Sequence, residues 1–394
     1  MEKQIKSMPS ILFKNAEVFA PEALGVKDVL IAAGKIISIG TELSNLPLDE
    51  AMVKVVDCDG ALLVPGFIDA HVHMYGGGGG AGYGSRAPEL TATEAFLAGT
   101  TTVVGALGID TVTRDVMGLV AKAKSLRERY LNAYCTAGGM DLPPHTVTGS
   151  LRKDMYLIPE MIGVSEPAIS DKRSTQPSID DLRKLVADIH VAGRICGKMG
   201  VVQFHLGDQP SGFQPLFEIL PDVLIKHIYP MHVNRNEVTM EQAPEWAQHG
   251  GYFEVTAALY PPDYKRATAV IEAIDILKNK GVNPKLMTIS TDGNGVSTLF
   301  GKDNIQRFPL NLLHNELKKM TAKGMDMSES LSYITSNVAD ALGLADIKGR
   351  IQVGKDADVL VLERSSLNIR EVVSMGAMVV EAGKRLKPTY NLDV

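Results

Sequence analysis

The sequence predicts an α/β protein that combines a (β/α)8 barrel of the TIM type with a small β-sandwich domain formed by both chain ends. From residue 62 onward, eight short β-prone apolar runs alternate with longer helix-like stretches. This alternation is typical of a parallel sheet with helical crossovers. Before residue 62 and after residue 347, short β-prone runs are separated by turn residues instead. The length of 394 residues accommodates a barrel with a small attached domain.

The elements can be placed in chain order. At the N-terminus, short strands are predicted at 11–18, 29–32 and 35–39. The eight predicted barrel strands end near His73, Leu107, Ala137, Ile169, His205, Val233, Ala257 and Thr291. Helices between them are predicted at 92–98, 113–130, 180–198, 240–249 and 267–280. We therefore predict a barrel domain at 62–347 and a β-sandwich domain made of 1–61 and 348–394.

Charge and cysteine content exclude several classes of function. The chain has 46 acidic and 40 basic residues and a formal charge of -6, without a basic block, so neither nucleic acid nor membrane is a predicted partner. A small-molecule substrate is predicted instead. Cys58, Cys135 and Cys196 lack CxxC spacing, which indicates reduced thiols that serve packing. Because the sequence shows no signal-peptide pattern and no membrane-length apolar run, we expect a cytoplasmic protein.

A histidine pair closes the first predicted barrel strand. His71 and His73 are two residues apart, and alternate residues of an extended strand point to the same face. Neutral imidazoles bind zinc and similar divalent cations, so the pair predicts a metal site. The glycine tract 76–80 follows it and lacks the Lys and Ser/Thr of a phosphate-binding loop. We predict that this tract brings backbone close to the substrate, with Gly78 as a binding residue, although a merely flexible loop is the alternative.

Other candidate ligands occupy the ends of later strands, where a barrel carries its catalytic side chains. His205 closes the fifth predicted strand, His232 the sixth and Asp292 the eighth, whereas Glu166 lies on the fourth. Together with the first pair they would supply four histidines and two carboxylates. That set is sufficient to hold two divalent cations, with one carboxylate bridging them.

Six segments carry a resemblance to a known family. They read PGFIDAHVH at 65–73, AISDKRS at 168–174, FHLGD at 204–208, MHVNRN at 231–236, STDGNG at 290–295 and GKDAD at 354–358. In this order they resemble the amidohydrolase superfamily and, within it, the isoaspartyl dipeptidases, over essentially the whole chain. The resemblance implies a binuclear zinc site that hydrolyses the amide of a β-aspartyl dipeptide. It also implies a homo-oligomer.

Carried over by position, the resemblance assigns the metal ligands. It makes His71 and His73 ligands of the buried cation, and His205 and His232 ligands of the outer one. Asp292 would bind the first cation and act as the catalytic residue that transfers protons.

The bridging ligand departs from the family pattern. Isoaspartyl dipeptidases typically bridge their cations with a carboxylated lysine on the fourth strand, where this chain has Ser165-Glu166 and one extra residue. We predict that Glu166 bridges the cations in its place. A supporting acid outside the ligand set is the alternative.

The substrate positions are partly retained. Arg173 and Arg235 match family arginines that contact the dipeptide, and a guanidinium group is well suited to a carboxylate. Structural ion pairs are the alternative for both. Three further positions differ, because Gly80 replaces the glutamate that receives the substrate amino group, Met140 a tyrosine and Val296 a serine.

The sequence thus predicts a binuclear metal-dependent amide hydrolase, most closely a β-aspartyl dipeptidase or a relative that acts on an acidic amide. The changed substrate positions keep a second hypothesis open, namely hydrolysis of a cyclic or N-substituted acidic amide, or deamination. A third hypothesis is a non-catalytic scaffold that keeps the barrel. The retained metal positions argue against that scaffold.

Overall fold

The computed structural model describes residues 10–45, 52–259, 266–297 and 305–386. The first strands are β1 Ser10–Phe19, β2 Ala23–Ala32, β3 Lys35–Gly40, β4 Val53–Asp57 and β5 Leu62–Pro65. The parallel strands are β6 Phe67–Val72, β7 Thr100–Gly105, β8 Asn132–Ala137, β9 Met161–Ile169, β10 Val201–Leu206, β11 Ile228–Met231, β12 Phe253–Thr256 and β13 Met287–Ser290. The remaining strands are β14 Val296–Ser297, β15 Gln306–Arg307, β16 Val359–Leu362, β17 Ile369–Ser374, β18 Ala377–Glu381 and β19 Lys384–Arg385.

Ten α-helices lie in the described ranges. They are α1 Ala92–Leu97, α2 Val116–Arg127, α3 Leu151–Leu157, α4 Ile179–Cys196, α5 Gln214–Ile219, α6 Glu237–Gln248, α7 Val270–Asn279, α8 Leu312–Ala322, α9 Met327–Ser332 and α10 Ser336–Ala341. The five predicted helices correspond to α1, α2, α4, α6 and α7, with ends that differ by a few residues. Among the described helices, none has the length and apolarity needed to cross a membrane.

Parallel strands form the centre of the molecule. Strands β6 to β11 make one curled sheet in chain order, and β12 pairs with β13 in a second parallel pair. Val72, at the end of β6, makes a parallel bridge with Gly293, which follows β13. The His73 N–H also donates to the Gly293 carbonyl at 2.8 Å. The parallel sheet that alternates with helices is confirmed, whereas closure into an eight-stranded barrel stays a prediction.

Both chain ends contribute strands to a second, mixed sheet. Its strand order is β19-β18-β17-β16-β5-β1-β2-β3, with β4 paired to β1. β5 is parallel to β1 and antiparallel to β16, so it joins the N-terminal strands to the C-terminal ones. The sequence predicted a sandwich from these segments, and hydrogen bonding joins them in one nine-stranded sheet. The domain boundaries 1–61, 62–347 and 348–394 stay a prediction.

The apolar run of β5 is explained by burial on both faces. Leu62 and Val64 belong to the large core around the parallel strands, whereas Leu63 packs into a separate cluster with Phe13 and Val361. Successive side chains of a strand point to opposite faces. A strand covered on both sides therefore reads as a continuous apolar run instead of an alternating one.

A buried ionic cluster joins β8 to the C-terminal sheet. Lys348 Nζ lies 2.7 Å from Asn132 Oδ1, 2.6 Å from Asp358 Oδ2 and 2.8 Å from Asp356 Oδ2. Asn132 Nδ2 donates in turn to Asp358 Oδ1 at 2.8 Å. Burial opposes the charge on Lys348, but Asp358 and Asp356 raise its pKa above the ordinary value. The lysine therefore stays charged and holds the two parts of the fold together.

Candidate active site

The C-terminal ends of the parallel strands bring the predicted metal ligands together. They lie on β6, β9 and β10, or just after β6, β11 and β13, at one edge of the sheet. Five of them are buried, and the sixth, Asp292, has a side chain that is 17% exposed. The candidate ligands gathered at this edge are His71, His73, Glu166, His205, His232 and Asp292.

One group of candidate ligand atoms lies around Asp292. His73 Nε2 is 3.1 Å from Asp292 Oδ1, and His71 Nε2 is 3.9 Å from the same oxygen. One ligand atom from each of these three residues lies within 4.8 Å of the other two. Two imidazoles and a carboxylate at this spacing could hold one divalent cation.

A second group lies around Glu166. Its carboxylate oxygen Oε1 is 3.2 Å from His71 Nε2, and ligand atoms of His71, Glu166 and His232 all lie within 4.8 Å of one another. His205 is outside this group, but its Nδ1 is 4.0 Å from Glu166 Oε1, and its ring centroid is 4.6 Å from that of His232. Glu166 Oε1 thus lies within 4.0 Å of a ring nitrogen of His71 and of His205.

The backbone is unusual at three of these positions. Glu166, His232 and Asp292 have φ values of 64°, 66° and 54°. Positive φ is uncommon for residues other than glycine and is concentrated at functional sites. The pairing of β9 with β10 shifts register next to Glu166, so two residues of β9 occupy the space opposite one of β10. Such a bulge re-aims a side chain, and it accommodates the extra residue that the sequence shows here.

Several buried polar atoms of the site have no hydrogen-bond partner among the described residues. They are His71 Nδ1, His73 Nδ1, His205 Nδ1 and Glu166 Oε2. Leaving such atoms unsatisfied is costly, most of all for a carboxylate oxygen. Coordination of a cation would satisfy Glu166 Oε2 and His205 Nδ1. Because imidazole and carboxylate donors also suit zinc and similar divalent ions, the site fits bound cations.

The charges of the site are compatible with bound cations. Burial opposes protonation of His71, yet Glu166 and Asp292 raise its pKa to about 9. The imidazole is therefore protonated in the absence of a cation, and a cation held by the same carboxylates would replace this proton. Burial disfavours the Glu166 carboxylate, but His73 and His71 hold its pKa well below the usual range. Burial lowers the pKa of His205 and His232, so these two imidazoles are neutral, which is the form that binds metals.

Sequence reasoning missed two residues behind His232. His232 Nδ1 is 2.8 Å from Thr256 Oγ1, and the Thr256 hydroxyl donates to Glu254 Oε2 at 2.8 Å. The His232 backbone N–H donates to the same carboxylate oxygen at 2.7 Å. Burial raises the pKa of Glu254 to about 7. The sequence feature that could have identified these residues is a glutamate inside an apolar predicted strand, Phe253-Glu254-Val255-Thr256.

Asp171 is a third residue that received no role from the sequence. Its Oδ2 is 3.2 Å from His205 Nε2, and it holds Arg173 through Nε and Nη2 at 3.0 and 2.7 Å. Arg235 Nε donates to Asp208 Oδ1 at 3.1 Å. Both predicted substrate arginines therefore make ion pairs with aspartates, which is the alternative that the sequence left open for them. Both also line the cavity.

A cavity of about 160 Å³ opens at the candidate metal ligands. Its walls include the three predicted substrate residues, Arg173, Arg235 and Gly78. Gly78 has a φ of +81°, and a Cβ there would clash with the Ser85 carbonyl, so only glycine fits. The three changed substrate positions, Gly80, Met140 and Val296, line the same cavity.

Known proteins resemble this chain both in sequence and in structure. The sequence model of the amidohydrolase family matches residues 62–381. The structure is similar to a beta-aspartyl dipeptidase from Fervidobacterium islandicum AW-1, solved in complex with a beta-Asp-Leu dipeptide. The TM-score is 0.90 at 36% identity, with 98% of this chain and 100% of that chain covered.

Two curated relatives are more distant in sequence. An imidazolonepropionase from Brucella anthropi is 24% identical over 89% of this chain and 92% of its own length. A 5'-deoxyadenosine deaminase from Methanobrevibacter smithii is 23% identical over 91% of this chain and 85% of its own. The relatives therefore differ in the reactions that their names describe.

Proposed function

Because this chain belongs to the amidohydrolase family and resembles the isoaspartyl dipeptidases, we propose that it cleaves the amide bond of a β-aspartyl dipeptide or a closely related acidic amide. The observation that carries this proposal is the convergence of four histidines and two carboxylates on a cavity that two arginines also line. We further propose that the eight parallel strands close into a barrel. A homo-oligomer and a cytoplasmic location remain predictions from the sequence.

The ligand geometry suggests how two cations, most simply zinc, would be held. His71, His73 and Asp292 would hold one, and His205 and His232 the other, with Glu166 shared between them. Cations at these positions would lower the pKa of water from about 16 toward about 7 and polarise the carbonyl oxygen of the substrate.

Asp292 is suited to move the proton. Its carboxylate is 3.1 Å from His73 Nε2 and retains 17% exposure toward the cavity. During hydrolysis the carbon–nitrogen bond breaks, water supplies the new oxygen on carbon, and one proton must reach the departing nitrogen. Asp292 accepts the proton of the attacking water and delivers it to the amine, which is the double role of a general base and acid.

The arginines account for selection of an acidic substrate. Asp171 fixes the Arg173 guanidinium through two hydrogen bonds, so its orientation toward the cavity is set before substrate binds. Arg235 is held by one bond to Asp208. A guanidinium group pairs well with a carboxylate, often through two parallel hydrogen bonds.

The test uses purified protein with measured metal content. After loading with zinc, we expect release of aspartate and leucine from β-aspartyl-leucine, loss of activity after removal of metal by a chelator, and recovery when zinc is restored. Absence of cleavage in a metal-loaded sample would reject β-aspartyl specificity. A protein that neither carries nor acquires divalent metal would reject the metal-dependent enzyme.

A second candidate is hydrolysis of a cyclic amide or deamination. It is favoured by the replacement of three expected substrate residues by Gly80, Met140 and Val296, all of which line the cavity. The same metal-loaded sample should be offered cyclic amides and amino-substituted heterocycles. Turnover of these compounds without cleavage of β-aspartyl-leucine would favour the second candidate over the first.

A further inference from the structure

The carboxylates that line the cavity are both assigned to cations. Among the described lining residues they are Glu166 and Asp292, which belong to the two groups of candidate metal ligands. Arg173 and Arg235 line the same cavity and add positive charge. The cavity therefore has two guanidinium groups that can bind substrate carboxylates, whereas the described residues of its wall provide no carboxylate for a substrate ammonium group.

The two aspartates next to the arginines are already engaged. Asp171 accepts from Arg173 Nη2 at 2.7 Å and lies 3.2 Å from His205 Nε2. Asp208 accepts from Arg235 Nε at 3.1 Å. An ammonium group that bound either carboxylate would release an arginine that we assign to the acidic end of the substrate. Neither aspartate can therefore serve the amine without a loss at the acid.

Backbone carbonyls of the cavity wall are engaged as well. The Gly108 carbonyl accepts from the Met140 N–H at 3.4 Å, and the Met140 carbonyl accepts from the Ala168 N–H at 3.2 Å. The Gly295 carbonyl accepts from the Phe308 N–H at 2.9 Å. A carbonyl is a dipole without net charge, so it does not replace the anion that a buried ammonium group requires.

Apolar side chains contribute to the same wall. Burial of an ionised group costs free energy unless the group is paired and hydrogen-bonded, whereas burial of a methylene group is favourable. This part of the wall therefore suits a hydrocarbon segment of the substrate better than a charged substituent. The apolar residues that line the cavity are Ile109, Met140, Leu259, Val296 and Phe308.

The chemistry of the proposed reaction places the α-carbon of the acid inside this cavity. In a β-aspartyl amide the α-carbon carries both an ammonium group and a carboxylate, and it lies two bonds from the carbonyl carbon that is attacked. When the carbonyl is at the cations and the carboxylate is at an arginine, the ammonium group is at short range from both. Like charges repel each other most strongly where water is excluded. An α-carbon that carries hydrogen in place of the ammonium group avoids this repulsion.

Gly80 is a lining position at which a side chain could supply the missing anion. It is not among the glycines with positive φ, so its backbone conformation is accessible to other residues. A Cβ there would lie 3.3 Å from Ile109 Cδ1 and 3.4 Å from Ile109 Cγ2, and a small shift of the isoleucine side chain would relieve both contacts. The absence of a side chain at Gly80 therefore keeps the charge of the cavity positive.

We propose that the acid part of the substrate carries no amine, so that the substrate class is the amide of a simple four-carbon dicarboxylic acid, namely an N-succinyl amino acid. The inference rests on the proposed function, since the bond that is cleaved and the arginines that select the acid are the same. It adds the chemical class of the acyl part and makes Gly80 a residue that determines specificity for it.

The experiment compares two amides that differ only at the α-carbon, N-succinyl-leucine and β-aspartyl-leucine. Leucine release provides a common readout of kcat/KM for the metal-loaded protein. We expect the succinyl amide to exceed the aspartyl amide by about tenfold or more, because a buried charge without a partner costs at least this much.

Substitutions at Gly80 test the origin of the preference. In Gly80→Glu the ratio of kcat/KM for β-aspartyl-leucine to that for N-succinyl-leucine should rise about tenfold, since the ammonium group gains a charged partner. Gly80→Gln has nearly the same size without the charge and should change the ratio much less. Gly84→Glu is the matched control for added charge, because Gly84 does not line the cavity and its Cβ would meet no atom within 4 Å. Its ratio should equal that of the unmodified protein.

The outcomes separate the two proposals. Equal or faster cleavage of β-aspartyl-leucine by the unmodified protein would overturn the succinyl class and leave the proposed function standing, and this comparison decides even if the variants do not fold. A ratio in Gly80→Glu no higher than that in Gly80→Gln would overturn the role of Gly80. Failure of the metal-loaded protein to cleave either amide would overturn the proposed function and the succinyl class together.

Discussion

Glu166 lies near three of the candidate histidine ligands, at the position where the sequence predicts the bridging ligand. Its Oε1 lies 3.2 Å from His71 Nε2 and 4.0 Å from both His73 Nε2 and His205 Nδ1. The carboxylate reaches this central position because a bulge in β9 and a φ of 64° turn the side chain toward the other ligands. A glutamate at this position would bridge two cations without the carboxylation that a lysine needs.

At the residue scale, Asp292→Asn should separate metal binding from proton transfer. We expect the variant to retain metal and to lose about 100-fold or more in kcat, because an amide cannot accept the proton of the attacking water. Metal content by mass spectrometry and kcat from leucine release are the measurements. Asp115→Asn is the matched control, since asparagine caps α2 as well as aspartate does. A kcat within tenfold of the unmodified protein would contradict the role of Asp292.

Thr256 is expected to act through His232. Its hydroxyl donates to Glu254, so its oxygen is available to accept the Nδ1 proton of His232, which leaves Nε2 as the metal-binding nitrogen. Thr256→Val should weaken metal binding by about 10- to 100-fold, and Thr256→Ser should restore most of it. Competition with a chelating indicator measures the affinity, and circular dichroism verifies the fold. Equal affinities in the valine and serine variants would exclude this positioning role.

At the scale of elements, the N-terminal cap of α4 determines where the loop that carries Arg173 ends and the helix begins. The helix begins after Ser178, whose side chain accepts from the Asp181 N–H at 3.3 Å, while the Ser178 N–H donates to Asp181 Oδ2 at 3.0 Å. Leu182, Val186 and Ile189 bury its apolar face. The capping box therefore sets where the chain leaves the loop that carries Arg173 and enters the helix.

Ser178→Ala should lower the free energy of unfolding by about 1 kcal/mol, because the first turn of α4 loses its side-chain acceptor. Urea unfolding monitored by circular dichroism measures the change. Ser178→Asp is the control, since aspartate caps equally well and should preserve stability. If alanine and aspartate variants unfold at the same urea concentration as the unmodified protein, the cap contributes nothing.

At the scale of the whole molecule, Lys348 links the parallel strands to the mixed sheet. Lys348→Met would leave Asp358 as a buried charge without its main partner, and we expect a loss of about 3–5 kcal/mol in stability. Lys35→Met is the control, because Lys35 pairs with Asp356 but is 43% exposed, and should cost about 0–1 kcal/mol. Chemical unfolding of both variants provides the comparison. Equal losses would show that the buried cluster is not a link between the two parts.

The sequence predicted local features well. Runs ending near His73, His205 and Thr291 correspond to β6, β10 and β13, because the alternation of apolar strands and amphipathic helices is set by burial on one or both faces. It did not predict that the chain ends share one hydrogen-bonded sheet. Register between distant strands depends on packing, which short-range patterns do not encode.

The sequence by itself determined which residue types stand at the strand ends and that His71 and His73 share one face of a strand. Only the tertiary structure decided that Asp171 binds Arg173, that Thr256 lies between His232 and Glu254, and that Gly80 lines the cavity at the candidate metal ligands. The physical reason is that local periodicity fixes the direction of a side chain along its own element. Distances between side chains on different elements follow from how the elements pack and from the bulges and turns that re-aim them.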